Sequence, residues 1–304
     1  MKAIAIRDLD AGPSLMDRPY PHAAENDVIV QVNAAGFTPG ELSWPSTWTD
    51  RAGRDRTPSI PGHEMSGVVA ELGYGTTGLS VGQRVFGLTD WARDGTLAEY
   101  VAVEARNLAP LAADIDDTVA AALPISGLTA WQALFDHGHL TAGQTVLING
   151  AGGGVGSIAI QLAIEAGARV IGTGRPADRD RTLALGADTF LQADKLEDAG
   201  QVDLVFDVIG GSILDRSAAI VRAGGTLVTI AAPPKVRPAD GRAIFFVVEP
   251  RRDLLTNLAA RLRDGRLKPI VGTVLSLDKA LGAFAPHEHV PGKTIIRVSD
   301  RRRR

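Results

Sequence analysis

Closely spaced glycines after an apolar run, near the middle of the chain, could bind phosphate. Residues 146–149 are typical of a buried strand, residues 150–156 contain the spacing Ala151-x-Gly153-x-x-Gly156, and residues 157–167 predict a helix. Glycine allows a tight turn and close approach of backbone to a pyrophosphate, and N–H groups at a helix start attract its charge. The pattern predicts a dinucleotide site, the alternative being a tight turn without a ligand. The residues expected to bind the phosphates are Gly152, Gly153, Gly154 and Val155.

The residues after the next predicted strand, 169–172, indicate which dinucleotide would bind. A carboxylate about 20 residues beyond the glycine turn would hold the ribose diol of NAD. This chain instead has Gly174 and Arg175 there, with Arg179 one helical turn later. Because a guanidinium fork matches a 2′-phosphate, we expect NADPH, with these three residues in its pocket. The alternative is that these arginines form surface ion pairs with Asp178 and Asp180 and bind no phosphate.

Length and composition narrow the class of protein. The 304 residues are 45% hydrophobic and 22% charged, which is typical of a globular protein of about two domains. The chain has no cysteine, so disulfides and cysteine-bound metals are excluded, and a cytoplasmic location is expected. We expect no signal peptide, no membrane span and, at a net charge of −3, no nucleic-acid partner. The arginines at 301–304 are interpreted as a solvated tail.

The order of predicted elements indicates an α/β fold with two parts. Up to about residue 120 the chain is β-rich, with strands over 1–6, 28–32, 67–72, 84–87 and 99–103. Asp117 or Thr118 would cap a helix that ends at residue 123, and another helix covers 127–137. Strands then alternate with helices, which implies a doubly wound parallel sheet. The later strands are predicted over 145–149, 169–172, 204–207, 226–230 and 244–248, followed by a helix over 253–264 and a strand over 294–298.

Several motifs occur in the order found in one enzyme family. They are Ala34-Ala35-Gly36, Pro61-Gly62-His63-Glu64, Val81-Gly82-Gln83-Arg84-Val85-Phe86-Gly87, Gly127-Leu128-Thr129-Ala130, Leu185-Gly186-Ala187-Asp188, Asp207-x-x-Gly210-Gly211 and Gly292-Lys293. The chain resembles the quinone oxidoreductase branch of the zinc-less medium-chain dehydrogenases/reductases. The resemblance implies a GroES-like catalytic domain over 1–122, completed by 267–304, and a Rossmann NADP-binding domain over 123–266.

The same resemblance makes a metal site unexpected. Zinc-dependent relatives place a cysteine, a histidine and a second cysteine at positions that hold Thr38, His63 and Ser126 here. One imidazole with two hydroxyls is a poor zinc site, so no metal is predicted. The histidine pairs at 137/139 and 287/289 have a chelating spacing, but we interpret them as surface or helix-end residues.

The resemblance also implies site residues. Thr38 stands where similar enzymes have a residue that touches the nicotinamide ribose or the substrate, and it is the predicted catalytic residue. We expect further cofactor contacts from strand ends at the crevice of the sheet, with core packing as the alternative for the apolar side chains. These further predicted cofactor-binding residues are Thr129, Val208, Ile209, Ile230, Phe245, Phe246 and Val247.

A predicted substrate pocket completes the site. Trp44 and Trp48 could form a flat aromatic surface together with His63, or the tryptophans could be packing anchors of their own loop. No residue stands out as a proton donor, which leaves water.

The function expected from these features is NADPH-dependent, zinc-independent hydride transfer to a quinone or an activated alkene. The alternatives are an alcohol or carbonyl reductase of the same superfamily and a non-catalytic NADPH-binding protein. The apolar strand at 244–248 would lie at a sheet edge, which predicts a homodimer paired through it.

Overall fold

The structure is a computed structural model and describes residues 1–8, 10–284 and 290–299. The histidine pair at 287/289 and the arginine tail at 301–304 lie outside the described residues. Within those residues, no helix combines the length and apolar character needed to cross a membrane. The chain divides into a first unit, made of Met1–Ile125, Pro250–Asp264 and the described residues from Ile270 onward, and a second unit, made of Ser126–Glu249 and Gly265–Pro269.

The strands of the described residues, in chain order, are β1 (Lys2–Ile6), β2 (Pro13–Asp17), β3 (Asp27–Phe37), β4 (Glu64–Leu72), β5 (Arg84–Leu88), β6 (Tyr100–Glu104), β7 (Leu108–Pro110), β8 (Thr145–Asn149), β9 (Arg169–Gly174), β10 (Thr189–Gln192), β11 (Val202–Asp207), β12 (Val221–Thr229), β13 (Gly241–Phe245), β14 (Val271–Ser276) and β15 (Lys293–Arg297). The α-helices are α1 (Pro45–Trp48), α2 (Asp117–Ala121), α3 (Pro124–Trp131), α4 (Gly154–Glu165), α5 (Arg179–Ala184), α6 (Gly211–Ser217) and α7 (Arg252–Arg263).

The first unit is built on strands that are antiparallel except for the parallel pair β14 and β15, around a core rich in Val, Ile, Leu and Ala side chains. Its large sheet has the order β14-β15-β3-β4-β5-β7, with β6 also pairing with β3, and β1 pairs with β2. Strand β15 runs antiparallel to β3, so the C-terminal segment returns to this unit. Helix α7 also belongs to it, whereas the sequence placed that helix in the Rossmann part. The reason lies in Arg252, whose guanidinium donates to the carbonyls of Leu108, at 2.7 Å, and Ala105.

The cap of helix α2 differs from the prediction. The carboxylate of Asp116 accepts the N–H groups of Thr118 and Val119, so Asp116 caps the helix rather than either residue after it. Asp117 instead faces Arg84, with 2.8 Å between the carboxylate and guanidinium atoms. An aspartate engaged by an arginine is not free to cap, and its neighbour takes that role.

The second unit contains the predicted doubly wound sheet. All its strand pairs are parallel, and the order is β10-β9-β8-β11-β12-β13. Counted from the first strand of this unit, the order is 3-2-1-4-5-6, the Rossmann arrangement. The direction of winding reverses between β8 and β11, and ligands of such sheets bind where the carboxyl ends of these two strands diverge. The predicted α/β fold class is confirmed.

The last strand of this sheet lies at an edge, as predicted, but is shifted along the sequence. It covers Gly241–Phe245 rather than 244–248. Its partner β12 ends at Thr229, which pairs with Phe245. Residues after Phe245 therefore have no residue of β12 opposite them with which to continue the strand pairing. The sequence overestimated the strand because its apolar run continues past the end of the partner.

Candidate functional site

The glycine turn between β8 and α4 is packed so tightly that a side chain would clash at Gly150, Gly152 and Gly156. Gly150 has φ of 77°, which favours glycine. A Cβ on Gly156 would lie 2.3 Å from the carbonyl oxygen of Gly150. Helix α4 begins at Gly154 with Gly153 as its N-cap, and no side chain caps it. Its first backbone N–H groups therefore remain available to bind an anion.

The predicted cofactor residues of the second unit gather mostly behind the carboxyl ends of parallel strands. Gly152 and Gly153 follow β8, and Gly154 and Val155 begin α4. Gly174 ends β9, and Arg175 comes directly after it. Thr129 lies instead in α3 and is buried. The remaining ones follow or end a strand of the sheet: Val208, Ile209, Ile230, Phe245, Phe246 and Val247.

A buried polar network joins the strand ends below the turn. The amide of Asn149 donates to Asp207 at 3.2 Å, and its oxygen accepts from Thr173 at 2.8 Å. Asp207 also accepts from Thr229, at 3.0 Å, and from the backbone N–H of Gly210, at 2.9 Å. Burial raises the pKa of the Asp207 carboxyl above its ordinary value, against the lowering effect of these hydrogen bonds. The network fixes the ends of β8, β9, β11 and β12 relative to one another.

Two arginines converge on one buried acid beyond β9. The carboxylate of Asp178 accepts from Arg175 Nε at 3.1 Å and from Arg181 Nη2 at 2.5 Å. Burial opposes its ionisation, but hydrogen bonding and charge from Arg175, and the charge of Arg181, hold the Asp178 pKa below its ordinary value. The Arg175 side chain is still 54% exposed, so it can contact a ligand. Arg179 is exposed at the start of α5.

Asp178 also lies against the phosphate-binding turn. A Cβ on Gly152 would be 2.6 Å from its carboxyl carbon, and a Cβ on Gly174 would be 3.3 Å from one of its oxygens. The acid that orients the two arginines is thereby in contact with the glycine turn itself. Asp178 therefore connects the arginine cluster to the glycine turn within the second unit.

The segment after β13 is held by side chains of the helical region 132–137. Gln132 binds both backbone groups of Glu249, donating to its carbonyl at 2.7 Å and accepting its N–H at 3.1 Å. The ring of His137 packs on Phe246 with centroids 4.5 Å apart. Phe246 is therefore 8% exposed, while Val247 next to it is 58% exposed. His137, at the end of this helical region, is half-buried and packs on Phe246, while His139 is exposed.

In the first unit, the predicted pocket residue His63 forms a buried pair. Its Nδ1 lies 2.9 Å from Oε2 of Glu41, and both side chains are 2% exposed. The other oxygen of Glu41 accepts the N–H of Gly62 at 3.0 Å. The rings of Trp44 and Trp91 lie beside the imidazole, with centroids 6.3 Å and 5.0 Å from it. The structure thus brings Trp44 and His63 together and adds Trp91.

Trp48 is tied to its own loop. Its indole N–H donates to the carbonyl of Leu42 at 2.9 Å. This contact favours the alternative of a packing anchor for Trp48.

The predicted catalytic residue, Thr38, is half-buried beside a cation. Lys293 Nζ lies 3.4 Å from its hydroxyl oxygen and also pairs with the buried carboxylate of Glu64. The second oxygen of Glu64 accepts the N–H of Ile125 at 2.8 Å. The carboxylate passes so close to Gly36 that a Cβ there would lie 2.4 Å from it. Thr38 therefore has a defined hydrogen-bond donor and keeps its own proton free to donate.

Comparisons with known proteins identify the family. Residues 24–113 match the family model described as alcohol dehydrogenase GroES-like domain, and residues 154–253 match the one described as zinc-binding dehydrogenase. The chain is 31% identical over 291 residues to 2-methylene-furan-3-one reductase of Solanum lycopersicum, a match that covers 91% of this chain and 73% of that protein. The chain belongs to the medium-chain dehydrogenase/reductase family.

Two further relatives agree with this assignment. NADPH-dependent alkenal/one oxidoreductase of Arabidopsis thaliana is 30% identical over 91% of this chain and 73% of its own length. The solved structure of the quinone oxidoreductase from Coxiella burnetii superposes with a TM-score of 0.88 at 27% identity, over 98% of this chain and 99% of that one. The predicted combination of GroES-like and Rossmann folds is confirmed.

The zinc bound by some members of this family does not fit the residues of this chain. No cysteine is present. The Lys293 ammonium lies beside Thr38, and a fixed cation there opposes the binding of a second one. Within residues 1–8, 10–284 and 290–299, no cluster of potential ligand side chains could hold a metal.

Four residues around these sites were not identified from sequence: Glu41, Trp91, Arg181 and Lys293. Two of them could have been found from sequence. Lys293 stands in the Gly292-Lys293 motif, and Arg181 lies three residues after Asp178, a spacing at which an acid and a base on a helix are neighbours. Glu41 and Trp91 are far apart in sequence and meet around His63 only through the fold.

Proposed function

We propose that this protein is an NADPH-dependent, zinc-independent reductase that transfers hydride to a quinone or an activated alkene. The observation that carries the proposal is Arg175, which follows β9 with its side chain 54% exposed, at the place where an NAD enzyme would present an acid to the ribose. The acceptor class is supported by the names of the relatives, which are reductases of a furanone, of alkenals and enones, and of quinones.

The second unit would hold the cofactor. The turn at Gly152 and Gly153 and the first N–H groups of α4, which no side chain caps, suit a pyrophosphate. Arg175 would bind the 2′-phosphate, with Arg179 and Gly174 in the same pocket. The nicotinamide end would contact the residues that follow the later strands: Val208, Ile209, Ile230, Phe245, Phe246 and Val247. NADPH supplies the hydride.

The first unit would supply the groups that bind the acceptor. The hydroxyl of Thr38 receives a hydrogen bond from Lys293, so its proton is directed outward to a carbonyl oxygen or a ribose hydroxyl. Trp44 and His63 would bind the flat acceptor. No set of zinc ligands is found among the described residues, so stabilisation of the developing oxyanion would fall to these hydrogen-bond donors.

A screen of acceptors tests the proposal. Purified protein is mixed with NADPH or NADH and a panel of quinones, enones, aldehydes and ketones, and oxidation is followed at the absorbance of the reduced cofactor. We expect turnover of quinones or enones with NADPH and little with aldehydes. Turnover restricted to aldehydes and ketones would identify a carbonyl reductase, and NADPH binding without any turnover would indicate a non-catalytic protein.

A further inference from the structure

Glu41 and His63 form an oriented, buried acid–imidazole pair in the first unit. Each oxygen of the Glu41 carboxylate has its own donor, His63 Nδ1 at 2.9 Å and the N–H of Gly62 at 3.0 Å. Thr47 donates to the Glu41 carbonyl at 2.5 Å, which ties the backbone of this acid to α1. The imidazole is therefore fixed in orientation by a carboxylate that is itself fixed.

The second ring nitrogen of His63 has an unfilled hydrogen bond. Nε2 is buried and has no hydrogen-bond partner in the described part of the chain. Native proteins seldom leave such an atom unpaired, because it loses its hydrogen bonds to water without compensation. An unpaired ring nitrogen, in a side chain that is 2% exposed and otherwise satisfied, indicates a place where a ligand atom completes the bond.

The surroundings of this nitrogen suit a flat, conjugated ligand. Trp91 and Trp44 are half-buried, and their rings meet edge to face at 83° with centroids 5.3 Å apart. Trp91 is tilted by 41° against the imidazole at a centroid distance of 5.0 Å. Two indoles beside one polar ring atom give a site that is mostly apolar, with one group to fix the orientation of a ligand.

We propose that His63 is the proton donor of the reaction, that its Nε2 binds the carbonyl oxygen of the acceptor, and that Glu41 is its positioning residue. The proposal rests on the proposed reductase function. Bound NADPH would supply a hydride, whose electron pair would form the new C–H bond with the conjugated acceptor, and the displaced π electron pair of the acceptor would move onto its carbonyl oxygen. The proton of His63 Nε2 bonds to that oxygen, and the N–H bond electrons remain on the ring. An enone would yield its enol. A quinone would yield a hydroxydienone, which becomes the hydroquinone when its sp3 carbon loses a proton to solvent and the second oxygen gains one, and solvent would later return a proton to Nε2.

Glu41 makes this step favourable in buried surroundings. A charged imidazole is poorly stabilised away from water, but beside a carboxylate 2.9 Å away the pair is neutral overall. Nδ1–H donates to Glu41, so Nε2 is left as the nitrogen that faces the ligand. The same division of roles is used wherever a carboxylate orients a catalytic histidine.

The test uses His63→Gln, Glu41→Gln and the double variant in the full-length protein, after dialysis against a chelator. His22→Gln, a change at an exposed histidine, is the matched control. Steady-state rates are measured with a quinone and an enone, NADPH affinity by fluorescence, and folding by circular dichroism. We expect His63→Gln to lower kcat about 100-fold or more with NADPH affinity unchanged. Glu41→Gln should lower kcat at least about tenfold, and the double variant should be no slower than His63→Gln, because the two residues act as one unit.

A second measurement separates proton donation from a structural role. His63→Ala is assayed with and without added imidazole, which we expect to restore part of kcat in proportion to its concentration. A folded His63→Gln with kcat within threefold of wild type, or a folded His63→Ala that imidazole does not restore, overturns the proposal. If the wild-type protein reduces none of the quinones or enones tested, the proposed function itself is wrong. If the wild type reduces them and His63→Gln reduces them at the same rate, only the assignment of His63 as proton donor is refuted.

Discussion

The ammonium of Lys293 pairs with the buried carboxylate of Glu64 and so links strand β15 to strand β4. The same ammonium donates a hydrogen bond to the hydroxyl of Thr38. Glu64 is 0% exposed, and its two oxygens are occupied by this partner and by the N–H of Ile125. Removing one member of a buried pair is strongly destabilising, because the other is left uncompensated. The pair also carries the hydrogen bond to Thr38, which makes it a structural support of the predicted catalytic residue.

Gly36→Ala should break this arrangement without changing any charge. The new Cβ would lie 2.4–2.6 Å from three side-chain atoms of Glu64, which must then move. We expect the free energy of unfolding to fall by about 1–3 kcal/mol, as for other overpacked sites, with a loss of kcat. Gly40→Ala is the control, since nothing lies within 4 Å of a Cβ there. Denaturant unfolding compares the two variants, and equal stabilities would contradict the expectation.

Arg175→Ala should separate the two nicotinamide cofactors. A charge-assisted contact with the 2′-phosphate is worth about 1.5–3 kcal/mol, so NADPH should bind about ten- to a hundredfold more weakly while NADH is nearly unaffected. Arg222→Ala is a matched control, because Arg222 also pairs with an aspartate and its side chain is equally exposed at 54%. Titration of each variant with both cofactors decides the matter. Equal losses for NADPH and NADH would refute the assignment.

Asp178 should make the free energy of unfolding fall at acidic pH. Despite its burial, which raises the pKa, hydrogen bonds and charge from Arg175 and Arg181 hold the pKa of this carboxyl below its ordinary value of 3.8. The stabilisation by the ionised Asp178 carboxylate is therefore complete above pH 3.8, and it is lost as the pH falls through the lower pKa of the folded state. Between about pH 6 and about pH 3 the wild type should lose more stability than Asp178→Asn. Asp180→Asn, at the exposed neighbour, controls for the loss of one charge, and parallel pH profiles for wild type and Asp178→Asn would contradict this expectation.

The sequence predicts the second unit better than the first, for a physical reason. In a parallel sheet, all the strand ends that carry ligand contacts lie at one edge, so a linear list of strand ends predicts which residues gather there. Asn149 and Asp207 were visible as polar residues ending apolar runs, and the fold joins them at 3.2 Å. Around His63 no such rule applies. Glu41 and Trp91 reach it from two separate loops, and only the folded chain shows that Nδ1 is paired and Nε2 is not.

Activity should be independent of zinc. Lys293 lies beside Thr38 where a metal ligand would be needed, and the chain has no cysteine. Purified protein should contain well under one zinc per chain by elemental analysis, and dialysis against a chelator should leave kcat unchanged. One zinc per chain that is lost together with activity, and is restored with it, would show that the residues present do bind the metal.

We propose that the protein forms a homodimer through the edge strand β13 and the residues after it. Phe245 is 39% exposed and Val247 is 58% exposed at an edge that an apolar strand seldom leaves open to solvent. Pairing about a two-fold axis would join two sheets and cover both side chains. Val247→Asp should then give a monomer by light scattering at micromolar concentration, because it places two charges together in the interface. Val236→Asp is the control at a valine of the preceding loop that is 46% exposed. A wild-type protein with the mass of a monomer would refute the dimer, and a Val247→Asp dimer would place its interface elsewhere.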